Sequence, residues 1–94
     1  MARIQLNQSW DKHTQETTIT IPFCCKAEVT NWGNSIMVFC GREYGYKESF
    51  YFDHGSDYVN FKEKLRFKAN PDVVGEQNNI AFVDYATVEV SCRS

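Results

Sequence analysis

The sequence predicts an α+β domain: a mainly antiparallel sheet of about five strands, with one helix near residues 57–67 packed on one face. Three observations predict it. Apolar residues alternate at Ile19, Ile21 and Phe23 and at Phe50 and Phe52. The alternation is longest at the C-terminal end, through Ile80, Phe82, Ala86, Val88, Val90 and Cys92. Between these regions Tyr58, Phe61 and Leu65, with Val59 beside them, follow a helical spacing. At 94 residues the chain makes one domain, residues 1–94. A chain of this size buries roughly 65% of the surface of its unfolded form, enough for a core without metal or disulfide support.

Residues 2–8 open the chain with a weak alternation, Ala2, Ile4 and Leu6 against Arg3, Gln5 and Asn7, and read as a strand. Residues 7–16 are polar apart from Trp10 and read as a loop. Residues 17–23 have the Thr and Ile content of a strand. Pro22 has no N–H for a ladder, so this strand lies at an edge or bends there. Asn31-Trp32-Gly33-Asn34 has turn chemistry and should close a hairpin between residues 24–30 and 35–41. The run Ile36 to Cys40 is apolar on both faces and suggests the most central strand. Tyr46 to Asp53 follows as the third strand of a meander, with Phe50 and Phe52 toward the core and Tyr51 away from it.

Asp53-His54-Gly55-Ser56-Asp57 breaks the pattern, and Ser56 or Asp57 is the candidate cap of the helix. Asn70-Pro71 ends it, since a residue before proline avoids helical angles. Phe67 fits the helical stripe poorly. The last strand, residues 79–92, is long enough to carry a bulge near Asp84, which interrupts the apolar alternation.

Composition narrows the function. Hydrophobic residues make up 43% of the chain and aromatics 15%, the balance of a folded globule. No apolar run approaches a membrane span. The opening Met-Ala-Arg-Ile-Gln-Leu lacks the apolar core of a signal peptide, so a cytoplasmic protein is expected. Cys24, Cys25, Cys40 and Cys92 are then free and mostly buried. The alternative is one bridge from Cys40 to Cys24 or Cys25. The cysteines lack the close paired spacing of a structural zinc site, so no metal is expected. The five glycines are scattered and make no phosphate loop, so no cofactor is expected either. His13 and His54 sit in polar loops, and nothing in the spacing joins a thiol to a base. The expectation is a protein that is not an enzyme.

The aromatic residues are the best functional lead. Eight of the fourteen fall within 24 residues, from Tyr44 to Phe67. Trp and Tyr are favoured anchors of protein interfaces. Trp32, Tyr44, Tyr46 and Tyr51, with Asp53 and Asp57 as steering charges, form the candidate partner-binding set. The net charge is −2. Size and acidity suggest a phage-type inhibitor, anti-CRISPR-like in class, that blocks a basic surface of another protein, for example a nucleic-acid-binding complex. An immunity protein over a toxin's basic site and a structural oligomer subunit pairing its edges through residues 17–23 or the last strand are alternatives. A further alternative is a single-stranded nucleic-acid-binding domain using Tyr44, Tyr46, Tyr51, Lys62, Lys64, Arg66 and Lys68. On a helix those four cations spread around the axis. On a strand they would share one face, which strengthens the nucleic-acid case.

Overall fold

In the computed structural model the backbone of residues 3–55 and 57–91 is described, with side chains from residue 8 to residue 88 apart from residue 56. These residues form an all-β molecule. The strands are β1 (Arg3–His13), β2 (Thr17–Asn31), β3 (Ile36–Phe39), β4 (Arg42–Tyr44), β5 (Ser49–Asp53), β6 (Val59–Lys68) and β7 (Ala81–Ser91). They join one antiparallel sheet in the order β1-β7-β2-β6-β3-β4, with β5 also on β2. The molecule is elongated, 60 × 19 × 19 Å.

The helix expected over residues 57–67 is a strand, and the α+β reading gives way to all-β. The reason lies in the spacing. Phe61 and Leu65 are four residues apart, a distance that suits one helical turn and also two strand repeats. Phe67 decides between them, because residues 61, 65 and 67 share a face only in a strand. Leu65 is fully buried there, and Phe61 and Phe67 pack against the core. With no helix to cap, the Asp57 N–H donates instead to the His54 carbonyl in a turn, at 3.1 Å. Ser56, the other candidate cap, and Cys92 lie outside the described residues.

β2 organises the sheet because it is long and changes partners midway. Residues 17–21 pair with β6, and residues 26–30 pair with β5 on the same edge. β7 takes the opposite edge from Cys24 to Asn31. The ladders shift register between Ile21 and Cys24 and again between Cys24 and Lys26. Pro22 lies within the first shift, which spares it a ladder bond it cannot make. Phe23 follows with a φ of 55°. The expected bulge near Asp84 is absent; β1 and β7 stay in register through that residue.

Two further expectations fail for non-local reasons. Residues 24–30 and 35–41 do not form a hairpin, because β3 pairs with β6 and β4. The turn after Asn31 docks on residues 78–80 instead. Trp32 N–H donates to the Ile80 carbonyl (2.8 Å), and Asn34 N–H to Asn78 Oδ1 (2.9 Å). The central strand is β2, not residues 36–40. β7 is no free edge either, since β1 and β2 flank it over residues 81–87.

The main core gathers Ile19, Ile21, Ala27 and Val29 of β2 with Met37, Phe39, Leu65 and Val83. Cys24, Cys25 and Cys40 are free thiols. Burial pushes Cys24 and Cys40 up to about 11 each. At pH 8 both are therefore almost wholly protonated, and a thiolate is the reactive form. Ellman's reagent should modify Cys24 and Cys40 slowly in native protein and fast in denatured protein. Rapid reaction of Cys24 or Cys40 in native protein at pH 8, mapped by mass spectrometry, would contradict this packing.

Candidate functional site

The C-terminal half of β2 presents an open sheet face. Ala27 and Val29 turn into the core, so Lys26, Glu28 and Thr30 turn out. The neighbours obey the same alternation. Phe50 and Phe52 of β5 pack inward, which leaves Tyr51 and Asp53 outside. Val83 of β7 is buried, which leaves Asp84 outside. The register then aligns Trp10, Asp84, Glu28 and Tyr51 in one row across β1, β7, β2 and β5. Strands lie about 4.8 Å apart, so the row is about 14 Å long.

The row walls a depression of about 330 Å³, which Gln8 and Lys26 also line. Trp10 and Tyr51 are 61% and 59% exposed, high values for such large apolar bodies. Phe82 supports Trp10 with ring centroids 5.8 Å apart. Tyr51 donates its hydroxyl to Asp53 (3.2 Å), and Asp53 also accepts the Gly55 N–H (2.7 Å). The Gly55 amide holds the Asp53 carboxyl below its ordinary range, helped by Tyr51. The hydrogen bond to Asp53, and then its charge, holds the Tyr51 phenol above its ordinary range.

Glu28 and Asp84 lie directly opposite each other. Like charges in that position destabilise a sheet. Among the described residues neither carboxylate has a salt-bridge partner. Two aromatic walls over paired carboxylates can receive an Arg or Lys side chain. The carboxylates accept its N–H groups, and the rings face its cation.

The other sequence-derived candidates fall elsewhere. Trp32 and Tyr46 meet edge to face at 6.1 Å, 43% and 58% exposed, with the Lys47 ammonium 5.4 Å from the Tyr46 ring. Tyr44 is buried and belongs to the core, because its register partner is the inward Met37. It leaves the contact set. Asp57 is exposed in the turn before β6. Lys62, Lys64, Arg66 and Lys68 share the outer face of β6. Sequence reasoning missed Trp10, Glu28 and Asp84. The break that Asp84 makes in an apolar alternation was the visible signal, and it marks an outward residue of this candidate face and not a bulge.

Among the described residues no three His, Cys, Asp or Glu side chains are grouped to hold a metal ion. No described helix is long and apolar enough to cross a membrane. Comparison of the chain with protein-family models, with curated proteins and with solved structures finds no match.

Proposed function

We propose that this chain is a non-enzymatic protein-binding module that covers a basic surface of its partner with the Trp10–Asp84–Glu28–Tyr51 face. The opposed Glu28 and Asp84 carboxylates between two exposed rings carry this reading. Among the described residues neither carboxylate has a salt-bridge partner to offset that repulsion. A partner Arg or Lys removes that cost on docking, and the rings supply the contact area. The mode of action is steric. An anti-CRISPR-like inhibitor of a nucleic-acid-binding complex and an immunity protein over a toxin's basic site are two forms it takes. Free Cys24, Cys25 and Cys40 suit a reducing, cytoplasmic setting.

The test has two parts. Asp84→Asn and Glu28→Gln should each raise stability by about 0.2–1 kcal/mol, since each removes the repulsion. Both should weaken capture of a partner from host lysate. Trp10→Ala with Tyr51→Ala should weaken capture at least about thirtyfold with the melting temperature nearly unchanged. Neutralised carboxylates that lower stability, or a double alanine variant that captures its partner as well as the parent chain, would refute the reading.

A further inference from the structure

The outer face of β6 carries Asn60, Lys62, Lys64, Arg66 and Lys68 in succession, all exposed. Strand geometry sets successive cations about 6.8 Å apart and extends the four over about 20 Å. β2 flanks this row with Thr20 opposite Lys62 and Thr18 opposite Lys64. β3 flanks it with Val38 opposite Arg66 and Ile36 opposite Lys68. The cations therefore stand on a shelf of three strands. Glu16 reaches Lys64 at 2.9 Å and Arg66 at 3.9 Å, and Glu43 pairs with Lys68. All of these side chains are about half exposed, so the pairs are weak and a stronger anion can displace them. Lys62 has no salt-bridge partner among the described residues.

A second observation stands at the Asn60 end. Phe23 and Tyr58 meet at 5.2 Å, 51% and 47% exposed. Phe23 holds a φ of 55°, a region that bulky side chains avoid. Asn60 Oδ1 accepts the Phe23 N–H at 3.2 Å and braces this backbone. Burial does not explain a strained phenylalanine left half in water.

We propose that the β6 shelf binds a single-stranded nucleic acid, with phosphates along Lys62 to Lys68 and a base stacked on Phe23 and Tyr58. A row of cations tracking a backbone, with exposed rings beside it, is how such strands are held without sequence preference. An acidic peptide would satisfy the cations but leave the rings unused. A duplex would keep its bases stacked and out of reach. The inference rests on β6 and not on the acidic face, so each can fail alone.

Fluorescence anisotropy with labelled oligo(dT) and oligo(rU) tests it, over a series of salt concentrations. Binding should fall with salt at a log–log slope of about −2 to −3 for three to four phosphates. Lys62→Glu with Arg66→Glu should abolish it. Lys62→Gln with Arg66→Gln should weaken it and serves where charge reversal impairs folding, checked by circular dichroism. Tyr58→Ala should weaken binding by about five- to a hundredfold. Asp84→Asn should leave it intact. No binding at low salt overturns the proposal. So does displacement of the oligonucleotide by poly-glutamate as effectively as by unlabelled oligo(dT), which would assign the shelf to an acidic protein.

Discussion

Asn31→Ala is expected to destabilise the protein by about 3–5 kcal/mol and to lower its melting temperature by about 15–30 °C. Asn31 is fully buried at the end of β2. Its amide nitrogen donates to the Ser35 carbonyl (2.8 Å) and the Tyr44 carbonyl (2.9 Å), and its oxygen accepts the Gly33 N–H (2.9 Å). One side chain thus satisfies three backbone groups, two in the turn that follows β2 and one at the end of β4. Alanine strands all three in a dry site, and each buried unmet group costs about 1–3 kcal/mol. Asn31→Asp should be as harmful, because its oxygens would face two carbonyls in place of the donating amide. Gly33 enforces the same closure sterically. A Cβ there would lie 2.8 Å from the Ile80 nitrogen and closer still to the Asn78 carbonyl, and backbone cannot move aside cheaply. Urea unfolding followed by tryptophan fluorescence measures the effect. A loss below about 1 kcal/mol would mean that water reaches the site and replaces the amide.

The same turn shows where the sequence was legible and where it was not. The residues Trp32-Gly33-Asn34 make the turn legible after Asn31, but not what that turn docks on. Turn chemistry is local, whereas the docking of Asn34 and Ser35 on residues 78–79 depends on side chains 44 positions away. The strand character of residues 17–31 and 49–53 was readable because alternation there separates a buried face from a wet one. That also made Tyr51 and Asp53 readable as outward residues. β6 failed because only Phe67 distinguished a period of two from a period of 3.6. Its exposed cations gave no help, since either element places charged residues in water. The acidic row was hidden for a different reason. Trp10, Asp84, Glu28 and Tyr51 come from four strands, and only the register brings them together. Each one alone reads as an ordinary surface residue.

Phe39→Ala should cost about 3–5 kcal/mol, the range for truncating a buried aromatic side chain. Phe39 is fully buried and touches Phe50 (5.2 Å) and Phe61 (5.9 Å). Phe52 closes the cluster against Phe50 (5.9 Å) and Phe61 (5.2 Å). β5 has its ladder on β2, so these rings are what ties its inner face to β3 and β6. A cavity at residue 39 removes that tie, and β5 should open before the β1–β7–β2 ladder does. Amide exchange resolves this: the β5 amides should lose protection first in Phe39→Ala, while Phe39→Leu should keep most of it. Equal loss across all strands would instead make the core a single cooperative unit. The consequence reaches the proposed binding face, because Phe50 and Phe52 pointing inward is what points Tyr51 and Asp53 outward. Phe39→Ala should therefore weaken partner capture together with stability, whereas Tyr51→Ala should weaken capture alone. Only the second pattern identifies a residue that touches the partner.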